Sequence, residues 1–256
     1  MAILSTNNSN NSNITKHTTI NAKNFIPSIA YALAFILFTV IVKIVDVQAI
    51  GPLSSEIGFA KLNKAVNSFF SEHQFLGGQN FWYTLTNVFG IVAILTAAVF
   101  ACMGLLQLIK RRSLLKVDRE ILALGIAYAL TIVLYVLFEK IAVNYRPILE
   151  DGELAASYPS THTMIVLCIL GTARLAFRRY IENRRLLFTI EIICWGVMAL
   201  TVLGRLACGV HWLTDIIGGV IISAAIVSFY RAAMKDSSER TTSMKASCAE
   251  KAKDKD

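Results

Sequence analysis

The sequence predicts an all-α integral membrane protein, a six-helix bundle with a polar site at the extracytoplasmic membrane face. Two observations lead to this fold class. The chain has 256 residues, of which 55% are hydrophobic and only 16% charged, and this is too apolar for an ordinary soluble domain. The apolar residues also fall into separate runs, most of them near the length of about 20 residues that a helix needs to cross the hydrocarbon core.

The charge and cysteine content exclude two other classes. A net charge of +8 is compatible with nucleic-acid binding, but the basic residues are distributed as membrane topology requires, so no nucleic-acid partner is predicted. The cysteines are odd in number and have no spacing typical of a disulfide framework or a zinc site. They are Cys102, Cys168, Cys194, Cys208 and Cys248. We interpret them as reduced, and we predict no metal and no cofactor.

The chain begins with a polar segment. Residues 1–23 are rich in Asn and Ser and are predicted to be a disordered leader. The first apolar run, Phe25 to Val47, has two interpretations, a signal peptide cleaved near Ala49 or an uncleaved span. The uncleaved span is favoured, because the run is long enough to cross the bilayer and lacks a short basic segment before it.

The membrane domain is predicted to cover residues 24–234. Within it, residues 51–78 are too polar to span, yet their apolar residues recur at helical spacing, which indicates an interfacial helix and loop. This helix is either a passive surface element or, from about Ser54 to His73, a lid over a lipid entrance. The later spans are predicted at Phe81–Ile109, Ile121–Phe138, Thr161–Phe177, Leu186–Leu206 and His211–Tyr230. A disordered cytoplasmic tail is predicted for residues 235–256.

Lysines and arginines predict the orientation. Most of them lie in the leader, in the loops after the second and fourth spans, and in the tail. Basic residues concentrate on the cytoplasmic side of a membrane. We therefore predict a multi-pass cell-membrane protein whose two termini are cytoplasmic and whose remaining polar loops face outward.

One outward stretch, Gly204 to Asp215, carries three ionisable side chains between two spans. They are Arg205, His211 and Asp215. Such groups cost about 3 kcal/mol each at membrane depth, so their presence predicts a functional site. His211 and Asp215 are spaced so that one helical turn would bring them together, where a carboxylate can fix the tautomer of the imidazole.

Two further outward stretches supply an anion site and a second histidine. The segment Ser157 to His162 contains Pro159 and hydroxyl residues, which are typical of a helix start with free N–H groups at residues 160–162. Such a helix end binds phosphate. Arg146 offers a fork of donors to the same anion. One histidine with a carboxylate partner and one without, His211 and His162, match the nucleophile and the general acid of a phosphoryl transfer through a covalent intermediate.

These blocks resemble the signature of a known family. They are Arg146-Pro147, Pro159-Ser160-Thr161-His162 and Arg205-x5-His211-x3-Asp215, and they are similar to the three-part signature of the type 2 phosphatidic acid phosphatase superfamily. Integral-membrane members of that family dephosphorylate lipid phosphates and pyrophosphates without metal.

The resemblance implies a role for each matching residue. His211 is the nucleophile that forms a phosphohistidine, Asp215 orients it, and His162 protonates the leaving group. The phosphoryl oxygens are held by Arg146, Arg205, Ser160 and the backbone N–H groups of Thr161 and His162.

The sequence departs from the family pattern at three positions. Lys140 is one residue closer to the Arg-Pro pair than the family lysine, and Glu139 holds the usual position, so a role for Lys140 depends on its side chain reaching back to the site. Thr161 replaces a usual Gly, and Gly204 replaces a usual Ser. Neither of these last two changes touches a proton-transfer group.

Several alternatives stay open at this level. A catalytically silent lipid-binding or transport-like protein of the same fold is the main one, whereas a vanadate-dependent haloperoxidase is disfavoured by the full set of spans. The substrate is open among a polyprenyl pyrophosphate, a phosphatidylglycerol phosphate and phosphatidic acid, and the oligomeric state is open too. The acidic loop containing Glu150 is either solvated or a counter-charge near the site. Glu191, inside the fifth span, has no evident partner in the sequence.

Overall fold

The computed structural model describes residues 22–73 and 77–253, with side chains as far as Lys235. Within these residues the chain forms seven α-helices: α1 Ile26–Ile44, α2 Ala60–Glu72, α3 Gly78–Arg111, α4 Arg119–Lys140, α5 Thr161–Tyr180, α6 Arg184–Ala207 and α7 Leu213–Lys253. Short 3-10 turns lie at Ala22–Phe25, Pro52–Ser54 and Leu114–Lys116. A two-residue antiparallel ladder joins β1 Gln48–Ala49 to β2 Glu56–Ile57. Most of the predicted leader lies outside the described residues.

Five of these helices are long and apolar enough to cross a membrane: Ala22–Ile44, Gly78–Arg111, Arg119–Lys140, Arg184–Ala207 and Leu213–Lys235. The protein is therefore a multi-pass membrane protein. The predicted span Thr161–Phe177 lies in α5, which is a helix of 20 residues. This helix is not among the five that are apolar enough to cross a membrane. Ten residues of α5 are buried, so this helix contacts protein over much of its surface and does not need a wholly apolar one.

Helices α5 and α7 form the centre of the bundle. Just over half of the apolar part of α7 is buried (56%), against 11–28% for the other four candidate spans. Helices α1, α3, α4 and α6 surround this pair and expose large apolar side chains outward, for example Leu33 (61% exposed), Ile94 (57%), Ile132 (62%) and Phe188 (65%). Such broad apolar exposure is expected for helix faces in contact with lipid.

Helix α1 is packed into the bundle. The Ser28 hydroxyl donates to the Ala225 carbonyl at 3.0 Å, and the hydroxyls of Thr39 and Tyr158 are 2.9 Å apart. The rings of Phe35 and Tyr158 stack at 5.9 Å. These contacts with α7 and with the segment before α5 favour the uncleaved span over the cleaved signal peptide.

Two details differ from the sequence-based expectation. The last helix continues to Lys253, whereas we predicted a disordered tail from residue 235. Glu191 has a partner after all, because Arg178 Nε lies 2.6 Å from its carboxylate. The pair joins α5 to α6, and no spacing rule within one helix reveals it. The predicted boundaries of the leader, membrane domain and tail stay predictions.

Candidate active site

The helix ends that carry the predicted site residues meet at one end of the bundle. Helix α4 leads into residues 141–160, which fold back on themselves before α5 begins. Arg146 N–H donates to the Ala155 carbonyl at 3.0 Å, and Ser157 N–H donates to the Asn144 carbonyl at 2.9 Å. The turn of residues 208–212 joins α6 to α7 at the same place. All three polar stretches of the sequence therefore contribute to one site.

The buried centre of this site is a chain of three side chains. His211 and Asp215 are 2% and 0% exposed. The sequence predicted a direct contact between them, but His211 Nδ1 lies 3.7 Å from Asp215 Oδ2. Ser157 Oγ lies between the two, 3.0 Å from His211 Nδ1 and 2.5 Å from Asp215 Oδ2. The carboxylate therefore acts on the imidazole through a hydroxyl.

The contact is indirect because His211 precedes the helix. Helix α7 begins at Leu213, so His211 and Asp215 are not stacked one helical turn apart. The Asp215 carboxylate turns back instead and caps the helix, since Oδ2 accepts the Trp212 backbone N–H at 2.9 Å. Its other oxygen accepts from Asn144 Nδ2 at 3.4 Å. With Ser157, three donors thus hold the carboxylate in one orientation.

This hydrogen-bond pattern assigns the tautomer of His211. The Ser157 hydroxyl donates its single proton to Asp215, and its oxygen therefore accepts from an N–H at His211 Nδ1. The other ring nitrogen, Nε2, is buried and has no hydrogen-bond partner among the described residues. Burial, followed by the positive charges of Arg205 and Arg146, lowers the pKa of His211 well below its usual range. The ring is therefore neutral, with a free lone pair at Nε2.

The start of α5 lies beside this chain. Ser160 is the N-cap, and its hydroxyl accepts from Thr163 N–H at 3.5 Å and from the Thr163 hydroxyl at 3.1 Å. Its own backbone N–H donates to the backbone carbonyl of Asp215 at 3.0 Å. This N–H group is therefore not free, contrary to the prediction. Thr161 and His162 occupy the first two helical positions, whose N–H groups point out of the helix end without an intrahelical acceptor. That end is suited to an anion.

Arg205 is a buried cation beside the same helix end. It is 1% exposed. Its NH1 donates to Thr86 Oγ1 at 3.4 Å, its guanidinium lies over the Tyr83 ring at 5.7 Å, and its Nε has no partner within the described part of the chain. A buried guanidinium with so few acceptors is costly until an anion binds it.

Gly204, where the family pattern has Ser, packs directly under this arginine. A Cβ there would lie 2.6 Å from Thr86 Cγ2 and 2.7 Å from Trp82 Cε3. The departure from the family pattern therefore reflects close packing of α6 on α3. In the turn that follows, Gly209 has a φ of +68°, which favours glycine.

Arg146 forms an ion pair with Glu150 at the edge of the site. Its NH1 lies 3.1 Å from Glu150 Oε2, and its Nε donates to the Ala156 carbonyl at 3.4 Å. The acidic loop is thus a counter-charge for Arg146, which was the less favoured of the two sequence-based interpretations. Electrostatic interactions of Arg146 and Arg205 reach both His162 and His211, so the two cations and two imidazoles share one neighbourhood.

His162 faces α3. Its ring packs against Gly90, where a Cβ would be in ordinary van der Waals contact with it, 3.5 Å from His162 Cδ2. Lys140, in contrast, ends α4 as an exposed residue and has no hydrogen bond or ion pair with a described residue. The structure therefore does not bring Lys140 into the site. Among the described residues, no three His, Cys, Asp or Glu side chains are grouped as metal ligands would be.

Sequence reasoning missed residues that hold the site together. Ser157 and Asn144 lie in the polar stretches, but nothing in their spacing indicates that they bind Asp215. Asn63, on α2, is 0% exposed, and its side chain accepts from Thr214 N–H at 3.1 Å and donates to the Thr214 hydroxyl at 2.9 Å. The available signal was its position on the apolar face of α2, three residues before Val66 and seven before Phe70.

The fold and the site define a helical membrane protein with a buried cluster of two histidines and two arginines at one end of the bundle. Residues 121–239, somewhat less than half of the chain, match the model of the PAP2 superfamily, and this match confirms the resemblance to type 2 phosphatidic acid phosphatases. The structure is similar to the crystal structure of a transmembrane PAP2-type phosphatidylglycerolphosphate phosphatase from Bacillus subtilis. The TM-score is 0.57 at 16% identity, over 83% of this chain and 96% of that one. No curated protein matches the sequence significantly.

Proposed function

We propose that the protein is a membrane phosphatase that hydrolyses a lipid phosphate or lipid pyrophosphate through a phosphohistidine at His211. The observation that supports this most strongly is the unpartnered, neutral Nε2 of His211 beside a helix N-terminus and two arginines. A nucleophile, an anion site and a second histidine in one place are the parts that metal-free phosphoryl transfer needs.

In the first step, His211 Nε2 attacks the phosphorus, and the bond from phosphorus to the leaving oxygen breaks. The positive charge that develops on the imidazole is stabilised through the Nδ1–H, the Ser157 hydroxyl and the Asp215 carboxylate. His162 donates a proton to the leaving oxygen. Arg205, Arg146, Ser160 and the N–H groups of Thr161 and His162 stabilise the negative phosphoryl oxygens.

In the second step, water attacks the phosphohistidine. His162, now neutral, takes a proton from this water, and the nitrogen–phosphorus bond breaks to release inorganic phosphate and free His211. Arg146 must exchange Glu150 for the phosphate during the cycle, because both anions use the same guanidinium. Lys140 has no part in this scheme.

The substrate's tail stays in the bilayer while its headgroup reaches the helix ends. Helix α5 is the sixth membrane-inserted helix, and the clustering of basic residues in the α3–α4 and α5–α6 loops favours an extracytoplasmic site with cytoplasmic termini. The polyprenyl pyrophosphate, phosphatidylglycerol phosphate and phosphatidic acid classes all satisfy this requirement. The similar structure from Bacillus subtilis bears the name of a phosphatidylglycerolphosphate phosphatase, which makes that class the first to assay.

The test is phosphate release from these three lipid classes in detergent micelles with EDTA present. We expect turnover on at least one class, undiminished by EDTA. His211→Ala should abolish it, whereas His73→Ala should not, because His73 is an exposed histidine just after α2 whose ring nitrogen bonds to the Phe69 carbonyl.

Two results would contradict the proposal. Activity that survives His211→Ala excludes the phosphohistidine, and loss of activity on chelation excludes the metal-free mechanism. Absence of turnover on every lipid phosphate, with the lipids still binding, would identify the silent lipid-binding alternative instead.

A further inference from the structure

A second cavity lies in the bundle away from the histidines. It is a cleft of about 650 Å³ between α5, α6 and α7, with α1 at one side, and this size is typical of a pocket for a single small molecule. Several of its lining side chains also face the surrounding lipid: Trp195 is 57% exposed, Tyr31 45% and Leu203 45%. The cleft therefore opens sideways to the bilayer.

Close packing of α5 on α7 separates this cleft from the catalytic residues. Gly219, which precedes the lining residue Val220, has no space for a side chain, since a Cβ there would lie 3.1 Å from Thr163 Cβ and 3.2 Å from the Ser160 carbonyl. None of the residues that line the cleft is one of the candidate site residues. The cleft is thus a different place from the phosphatase site.

The charged residues of the cleft lie at its far end. Arg174 and Arg231 both line it. Arg174 is 13 positions after the start of α5 and Arg231 is 18 after the start of α7, which places them about 20 Å and 27 Å from the helix ends that form the catalytic site. Ser228 lines the same cleft, three residues before Arg231, and adds a hydroxyl group near this end.

Neither arginine has an ion pair with a described residue. The Arg174 guanidinium lies over the Trp195 ring at 4.6 Å, and its buried Nε has no hydrogen-bond partner among the described residues. The acidic neighbour of Arg174 is Glu191, which already pairs with Arg178 at 2.6 Å. Arg231 has no ion pair within the described part of the chain, and the lining residues include no carboxylate. Within the described residues, the end of the cleft therefore carries two positive charges that have no ion pair of their own.

We propose that the cleft binds one anionic phospholipid of the leaflet opposite the catalytic site. The phosphate of its headgroup pairs with Arg174 and Arg231, and an acyl chain lies along the apolar wall formed by Leu167, Met198 and Val202. Charge complementarity selects an anion, and the long apolar wall open to the bilayer selects a lipid over a free phosphate ion. This site does not depend on the proposed phosphatase activity.

Trp195 provides a built-in reporter, because bromine atoms on an acyl chain in the cleft would quench its fluorescence. The full-length protein is reconstituted in phosphatidylcholine bilayers that contain one part in ten of either dibrominated phosphatidylglycerol or dibrominated phosphatidylcholine. We expect the brominated anionic lipid to be preferred on the order of ten-fold, as two cations near a headgroup imply. Trp195→Phe should remove the difference, because the other two tryptophans, Trp82 and Trp212, are buried beside the catalytic site.

Paired variants identify the source of the preference. R174Q/R231Q should reduce the preference for the anionic lipid to about one-fold. R184Q should retain the preference, because Arg184 is an exposed residue at the start of α6 that does not line the cleft. Equal quenching by the two lipids in the unaltered protein overturns the proposal without any variant. It is also overturned if the preference persists in R174Q/R231Q, or if millimolar inorganic phosphate displaces the brominated lipid, which would indicate a simple anion site.

Discussion

At the scale of single residues, Ser157 has the role that differs most from expectation. The sequence indicates an Asp–His pair, whereas the structure has an Asp–Ser–His chain in which the hydroxyl both donates to Asp215 and accepts from His211. Ser157 is therefore a positioning residue for the nucleophile. It fixes which ring nitrogen is free, and it carries the stabilising effect of the carboxylate to the imidazole.

Replacing Ser157 with Ala should lower kcat about ten- to hundred-fold, the value of a hydrogen bond to a charged group. KM should change little, because Ser157 binds no part of the substrate. The measurement is steady-state phosphate release from the best substrate of the lipid panel. Ser28→Ala is the matched control, since it removes one hydroxyl that donates to the Ala225 carbonyl, far from His211. Full kcat in Ser157→Ala would contradict the proposed chain.

The ionisable residues of the site were predictable, because Arg, His and Asp inside apolar runs are costly and therefore informative. Ser157 was not. A serine is unremarkable in a polar loop, and its contact with His211 joins residues 54 positions apart. Lys140 is the opposite case. The family pattern suggested it as a candidate site residue, but the structure leaves it exposed and away from the site.

At the scale of elements, helix α2 is fastened to the catalytic turn. Asn63 binds both the N–H and the hydroxyl of Thr214, one residue before Asp215, and it also donates to the Gly58 carbonyl at 2.8 Å. Asn63 thus caps the start of α7 from another helix. The residue is wholly buried, so α2 cannot leave the bundle as a detached lid without breaking these bonds.

Asn63→Ala should destabilise the protein by about 1–3 kcal/mol, because it leaves buried donors and acceptors unpaired. It should also lower kcat, since the start of α7 positions Asp215. Thermal unfolding in detergent and phosphate release measure the two effects. Asn67→Ala makes the same change one turn along α2 at a partly exposed position and should be neutral. Unchanged stability in Asn63→Ala would show that α2 is only a passive surface helix.

Among the elements, apolar runs predicted the helices well because lipid contact requires a long apolar surface. Helix α5 is the exception, and the same physics explains it, since a helix enclosed by its neighbours needs less apolar surface. The pairing of Glu191 with Arg178 and the capping of α7 by Asn63 depend on which helices become neighbours. Neither is encoded in the spacing along one segment.

At the scale of the whole molecule, the proposed orientation follows from the basic loops and is open to a direct test. In a variant without its cysteines, Glu153→Cys lies in the exposed loop before α5, and Leu115→Cys lies in the α3–α4 loop, where Leu115 is 95% exposed. In intact cells, a membrane-impermeant maleimide should label Glu153→Cys at once and Leu115→Cys only after permeabilisation. The reverse pattern would place the candidate site in the cytoplasm.

The central claim is that His211 carries the phosphoryl group during turnover, and chemical trapping of that intermediate tests it most directly. In His162→Ala, the breakdown of the intermediate should slow, because water loses its general base. The enzyme is mixed with a lipid phosphate, quenched in base and digested, and the phosphorylated residue is located by mass spectrometry. We predict an acid-labile phosphoryl group on Nε2 of His211, absent in His211→Ala. Continued turnover with no phosphoryl group on His211 would contradict the account.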